Sequence, residues 1–189
     1  MKDLTKLTIS VLACVVLSKT LVAKECVNIE KLNVGWTSFK TLEKIGVSGN
    51  FRDIKILSGK NSSDIKELLV NTKVKLQMEK LDAGEDIKNN AIKKFFVNNL
   101  ASKDVDAKVV GLSGDTLSLE ITLNGITKVI PMKYEMSKNE VKSKGVIDAL
   151  DFGLGSALRV LNTSVAGHLN KGWYDIPISF DLMYNKKCI

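Results

Sequence analysis

Hydrophobic and polar residues alternate with period two along much of the chain. Leu117, Leu119, Ile121 and Leu123 alternate with Ser118, Glu120 and Thr122, which places the aliphatic side chains on one face of a half-buried strand. Asn124-Gly125 follows. Both residues accept the positive φ of a type I′ turn, so the chain is expected to double back there. On the return strand Ile130, Met132, Tyr134 and Met136 face inward, against Lys133 and Glu135. Pro131 has no N–H to donate and belongs at a strand start or a bulge. Val74, Leu76 and Met78 repeat the pattern against Lys73, Lys75, Gln77 and Glu79. So do Ile176, Ile178, Phe180, Leu182 and Tyr184 against Pro177, Ser179 and Asp181. Val34 and Trp36 open another strand, and Val47, Gly49 and Phe51 one more. After Phe51 the phase slips to Ile54 and Ile56, as a bulge would cause. Ala107, Val109 and Gly111 form a weaker example, as do Val141, Gly145 and Ile147. Eight one-sided strands in antiparallel order predict a mainly β fold, a sandwich or a closed barrel.

Helical periodicity interrupts this pattern. Ile87, Ala91, Ile92, Phe95 and Phe96 fit a helix over 85–98, and Leu154, Leu158, Leu161, Val165 and Leu169 fit one over 154–169. Ser62-Ser63-Asp64 caps a short third helix through Leu69, with Glu67 near its first turn. The two longer helices are placed to plug or cover a barrel mouth. No internal repeat, linker or domain boundary interrupts the sequence.

The first 23 residues follow a different rule. Lys2 and Lys6 precede an apolar run from Leu7 to Leu17, and Leu21-Val22-Ala23 offers a small-residue cleavage site. This is the layout of a secretory signal peptide. The run is too short to cross a bilayer, which takes about 20 residues. An uncleaved anchor is one alternative. Lipoprotein processing at Cys14 is another, disfavoured because Cys14 lies inside the apolar run. Cleavage after Ala23 leaves 24–189 as one domain, long enough to bury a core without disulfides. Cys26 and Cys188 then remain, and in an oxidising compartment they are expected to pair, with two unpaired thiols as the alternative. In an up-and-down barrel the first and last strands are neighbours, so positions before the one and after the other fall at the same end.

Composition narrows the function more by exclusion than by assignment. The chain is 44% hydrophobic and 26% charged, which excludes disorder, and its 13 glycines and two prolines exclude low-complexity architecture. One His and three Cys exclude a His-rich metal site and a four-cysteine zinc site. The net charge of +7 falls to +5 once Lys2, Lys6, Lys19 and Asp3 leave with the leader. The lysines are dispersed among acids and not clustered with stacking aromatics, so nucleic acid is not an expected partner. No catalytic constellation is present: His168 stands alone on a helix, and Asp148 and Asp151 suit backbone capping near a turn. No glycine-rich phosphate loop is present either, and no cofactor is expected. What the sequence does offer is an apolar interior. In an eight-stranded barrel that interior holds either side chains or one small ligand.

Several segments resemble the YceI-like family. Leu119 to Pro131, LEITLNGITKVIP, resembles its L-x-I-x-G-x-T-K hairpin. Gly46 to Asp53, followed by Ile54, resembles its G-x-x-G-x-F-x-x-F segment, and Asp151-Phe152-Gly153 its D-F-G. Leu81 to Phe96 is similar to the stretch leading to its F-F pair. The resemblance covers about 33–184. The family's D-x-x-H-S opening is missing near Asn28 to Val34, and Lys88-Asn89-Asn90-Ala91-Ile92 stands where R-D-x-H-L is usual. Head-group contacts from those residues therefore do not carry over. An extra helix occupies 156–169.

The resemblance implies a periplasmic, antiparallel eight-stranded lipocalin-like barrel with two to three short helices. It also implies an apolar slot for a polyisoprenoid or other long-chain amphiphilic lipid, and no enzymatic activity. The residues expected around the slot are Trp36, Phe51, Leu76, Met78, Phe95, Phe96, Ile121, Ile130, Met132, Tyr134, Phe152, Ile178 and Phe180. Phe95, Phe96 and Phe152 would narrow its mouth. Transient membrane contact and a homodimer stay open, and so does a non-enzymatic interaction module with a filled barrel.

Overall fold

The computed structural model describes residues 26–187. The expected leader 1–23, with Cys14, and the C-terminal Cys188 lie outside the described residues. The chain begins with β1 (Val27–Lys40), β2 (Ile45–Phe51), β3 (Lys55–Ser58) and β4 (Asn61–Ser62), then α1 (Ile65–Asn71). It continues with β5 (Lys73–Gln77), β6 (Leu81–Asp82) and α2 (Asp86–Phe95). A meander follows, of β7 (Asp104–Ser113), β8 (Thr116–Leu123), β9 (Ile126–Met136) and β10 (Glu140–Asp148). The last elements are α3 (Gly155–Ser164) and β11 (Asp175–Lys186).

The strands form one antiparallel sheet that curls back on itself. β2 continues into β3 and β5 into β6, and these two bent strands pair with each other. Ile56 faces Val74 and Lys55 faces Lys75 at one end; Phe51 faces Leu81 and Asn50 faces Asp82 at the other. Between them the Arg52 N–H donates to the Lys80 carbonyl at 2.9 Å. β4 only bridges the start of β1. Eight long strands remain, each beside its neighbour in chain order, and β11 pairs with β1 from Val27/Lys186 to Trp36/Ile178 to complete the circuit. The sheet thus has eleven strands where eight were expected, because two of the eight are broken at bends and β4 adds a short bridge; the antiparallel, mainly β architecture is as expected.

Alternation drives this pairing. Along β8 every second residue is buried, from Leu117 to Leu123, and Asn124 and Gly125 turn the chain with φ of 53° and 81°. Two local expectations need correction. The slip after Phe51 is a bend between β2 and β3, where Asp53 adopts φ 56°. Register shifts lie between Ile56 and Ser58 in β3, between Ile29 and Lys31 in β1 and between Val109 and Gly111 in β7. Pro131 sits in the middle of β9, not at a strand start. β9 pairs with β8 from Ile126 to Lys133 but with β10 only from Lys133 to Met136, so Pro131 falls where one side of its strand has no ladder to feed.

The helices close the ends. Asp64 caps α1 by accepting from the N–H groups of Lys66 (2.7 Å) and Glu67 (3.0 Å), while Ser62 and Ser63 donate to the Glu67 carboxylate. Leu68 and Leu69 of α1 are fully buried at the end where β1 begins. At the opposite end α2 and α3 pack on each other. Both are shorter than their periodicity suggests. α2 stops at Phe95 and a 3₁₀ turn, Val97–Asn99, follows. α3 stops at Ser164 because Val165 is extended, and Ala166–His168 make a separate 3₁₀ turn. β-Branched Thr163 and Val165 and the nearby Gly167 are poor helix formers, and they sit where the break occurs.

Candidate functional site

The inner face of β1 is set by parity. Leu32, Val34, Trp36, Ser38 and Lys40 all point into the barrel and line one wall of a cavity of about 280 Å³. This is just below the range of about 300–1,000 Å³ usual for small-molecule sites. The cavity extends from Leu69 and Thr72 beside α1 to a mouth beside Lys40, Ile87, Lys88 and His168. Its walls are mostly aliphatic and aromatic. Thr72 Oγ1 is spent on the Leu68 carbonyl at 2.6 Å and so presents no unpaired polar group.

Nine of the expected residues line this space: Trp36, Phe51, Leu76, Met78, Phe96, Ile121, Met132, Ile178 and Phe180. Four stand elsewhere. Ile130 is buried opposite Leu119 without reaching the cavity. Tyr134 is half-buried against the core and pairs with Ser143 low on β9. Phe95 is half-buried on α2, with Lys94 Nζ 5.0 Å from its ring centroid. Phe152 is fully buried in a 3₁₀ turn, Ala149–Phe152, and its carbonyl accepts from Asn124 Nδ2 at 3.0 Å. Of the three phenylalanines expected to narrow the mouth, only Phe96 touches the cavity. The carboxylates near this turn divide their roles. Asp148 caps the turn through the Leu150 N–H at 2.8 Å, and Asp151 pairs with Lys128 at 3.6 Å.

Several wall residues escaped the sequence reading. α3 contributes Leu158 and Leu161, preceded by Leu154, and α2 contributes Ala91 and Ile92. These helices were expected as covers, but no residue of theirs other than the Phe95-Phe96 end of the first was singled out. Lys40 and His168 were also missed as neighbours of the mouth. For Lys40 the signal was present: the parity that turns Trp36 inward turns residue 40 inward too.

Lys40 and Lys88 bring charge to the mouth, and Lys108, which also borders the cavity, pairs with Glu120 at 2.9 Å. Lys40 is half-buried and enters none of the ion pairs among the described residues. Lys88 pairs with Glu85 at 2.7 Å. The His168 ring is held by Asn162 Oδ1, 2.7 Å from Nδ1. Burial, and then the charge of Lys40, lower the pKa of His168 below its ordinary value, so the ring is neutral at pH 7. Inside the barrel, Trp36 Nε1 is buried with no hydrogen-bond partner among the described residues. The arrangement thus offers an apolar channel with cationic and neutral polar groups at one end.

The chain matches the YceI-like domain family over residues 27–182. A polyisoprenoid binding domain from Saccharophagus degradans implicated in plant cell wall breakdown superposes with TM-score 0.59 at 15% identity, covering 87% of this chain and 99% of that one. BcnA from Burkholderia cenocepacia gives 0.55 at 16% identity, with 82% and 98% covered. The YCEI protein of Campylobacter jejuni gives 0.53 at 15%, with 79% and 90% covered. At such identities these structures establish the fold alone. No curated protein matches the sequence. Because the family match spans almost all of the closed sheet, the chain belongs to the YceI-like family.

Proposed function

We propose that this protein binds a long-chain amphiphilic lipid, of the polyisoprenoid class or similar, inside its barrel and carries, stores or senses it in the periplasm. The observation that carries this reading is the cavity itself: largely apolar walls from α1 to a mouth bordered by Lys40, Lys88 and His168. An alkyl chain gains about 0.8 kcal/mol per buried CH₂ in such walls, and the mouth leaves its polar end near Lys40 and His168. The Saccharophagus degradans relative, described as polyisoprenoid binding, supports the same ligand class. The space also speaks against a filled barrel serving only as an interaction module. The role is one of binding and not of catalysis, so a bound lipid should be recovered chemically unchanged. Export through the leader 1–23, and transient contact with a membrane during loading, belong to the same proposal. So does a Cys26–Cys188 disulfide joining the two chain ends.

The test is organic extraction of protein purified without detergent, followed by mass spectrometry. One long-chain lipid per barrel, unmodified after incubation, is the expected result. A protein that neither carries nor takes up any lipid would return the filled-barrel reading.

A further inference from the structure

The open end of the barrel carries large aliphatic side chains directed at solvent. Leu42 is 78% exposed, Ile87 84% and Leu169 71%, and Ile45 is exposed beside Leu42. They come from three elements: the 41–45 turn between β1 and β2, the first turn of α2, and the turn after α3. These elements meet at the cavity mouth. Lys40 pairs with Gly172, and the Thr41 N–H donates to the Lys171 carbonyl at 3.2 Å, which ties the first to the third. Ile87 lines the mouth together with Lys40 and His168. Single exposed aliphatic residues are ordinary on a soluble domain; several grouped around one opening mark a contact surface.

Charge indicates what covers it. The 40–45 segment holds Lys40 and Lys44 against Glu43, and 85–95 holds Lys88, Lys93 and Lys94 against Glu85 and Asp86. α3 holds Arg159 and no acid. Asp175 pairs with Lys44 at 2.6 Å and offsets it, while Lys171 adds a further cation, so the rim as a whole keeps cations in excess. Trp173 lies among them, its ring centroid 4.5 Å from Lys171 Nζ and 4.9 Å from Lys44 Nζ, and its indole N–H donates to the Thr41 carbonyl at 2.9 Å. An indole flanked by lysines and aliphatic tips suits the headgroup region of a bilayer. There the ring sits at the interface, while lysine stems follow the apolar surface and their charges reach lipid phosphates.

We propose that this rim docks on an anionic lipid bilayer, which places the cavity mouth against the acyl chains so that the lipid moves between bilayer and barrel without crossing water. The proposal rests on the lipid-binding reading above. Co-sedimentation of the mature protein with phosphatidylcholine vesicles containing phosphatidylglycerol tests it. None of Leu42, Ile45 and Leu169 lines the cavity. The combined variant Leu42→Ser, Ile45→Thr, Leu169→Asn is expected to lose about tenfold in vesicle binding, since binding scales with inserted apolar area. Leu57→Ser, at a position 58% exposed on β3 at the other end of the barrel, is expected to leave binding unchanged. The triple variant should still take up lipid delivered from detergent micelles. Unchanged vesicle binding by the triple variant, or an equal loss in Leu57→Ser, overturns the docking surface. A concentration-dependent dimer abolished by the triple substitution also overturns it, in favour of a second copy of this chain. Vesicle binding without lipid uptake by either route leaves the docking surface standing and removes the cavity ligand.

Discussion

The indole of Trp36 lies over Gly49 on the adjacent strand. A Cβ at position 49 would stand 2.7 Å from Trp36 Cζ2 and 2.2 Å from the Asp82 carbonyl oxygen. Gly49 therefore does two things at once. It makes room for a wall residue of the cavity, and it lets β6 come close enough to pair with β2 where the sheet closes. Gly49→Ala cannot be absorbed by a side-chain rotation, because one of the two contacts is to backbone. Overpacking of this kind costs about 1–3 kcal/mol, and the upper end is expected here. Urea unfolding measures it; a change below about 0.5 kcal/mol, the size of a neutral surface substitution, would show that β6 yields freely.

Much of this was readable in the sequence and some was not. Period-two alternation placed the strands because each has one wet face, and Asn124-Gly125 located the hairpin because few residues accept its backbone angles. The wall residues on strands followed from the same parity. What parity could not show was depth. Ile130 and Tyr134 point inward as Met132 does, yet only Met132 reaches the cavity. Phe152 was expected at the mouth as a loop residue, whereas the turn that carries it is bonded to Asn124 and buries the ring. Depth in the barrel is set by packing between elements distant in sequence, which no local pattern encodes.

Asn124 makes its own prediction. Its Oδ1 accepts from the N–H groups of Ala101 (2.7 Å) and Ser102 (3.2 Å), its Nδ2 donates to the Phe152 carbonyl, and its φ is 53°. One side chain thus fixes the hairpin, the entry to β7 and the 3₁₀ turn. Asn124→Gly keeps the backbone angle and loses the bonds; Asn124→Asp keeps the acceptor and loses the Nδ2 donor. At about 1 kcal/mol per hydrogen bond, thermal unfolding should rank wild type above Asp and Asp above Gly. Equal midpoints for all three would show that the bonds are dispensable.

Acid should weaken the closure of the sheet. Asp82 accepts from Arg52 (2.7 Å), Asn89 (3.0 Å) and the Gly84 N–H (2.9 Å), and these bonds, that of Arg52 first, hold its carboxyl far below the usual range. A carboxyl whose pKa is depressed by folding stabilises the fold above its unfolded value, about 3.9, and loses that contribution as pH falls toward the folded value. The midpoint of thermal unfolding should therefore decline below about pH 4. Asp82→Asn should start lower at neutral pH and decline less steeply. Parallel curves for the two proteins would mean that Asp82 does not couple folding to pH.

The chain ends provide a chemical test. β1 and β11 pair from Val27 opposite Lys186 and Asn28 opposite Asn185, so the start of the first strand lies beside the end of the last. Cys26 immediately precedes this register, and Cys188 follows two residues after Lys186 in sequence. Thiol titration of denatured, unreduced mature protein should find none free, and its intact mass should correspond to a chain beginning at Lys24. Reduction should lower stability by up to about 5 kcal/mol, the chain-entropy bound for so long a loop. Two titratable thiols in protein recovered from the periplasm would exclude the bridge.

Filling the cavity separates ligand binding from folding. Leu76 and Ile121 are both buried and both line the cavity, from β5 and β8. A tryptophan at either place has empty space to enter, so the cost of overpacking is largely avoided and stability should change by less than about 1 kcal/mol. Ile130 gives the contrast, being buried on β9 but away from the cavity. Ile130→Trp must push into packed side chains and should cost the full 1–3 kcal/mol or so of an overpacked core. Lipid retention should follow the opposite order. Leu76→Trp and Ile121→Trp should come through purification without lipid, while Ile130→Trp, where it folds, should keep it. Equilibrium unfolding and mass spectrometry of extracted lipid, run on the same samples, give both readings. Full lipid occupancy in Leu76→Trp and Ile121→Trp would mean that the lipid lies outside the barrel, and the proposed function would fail with the barrel intact.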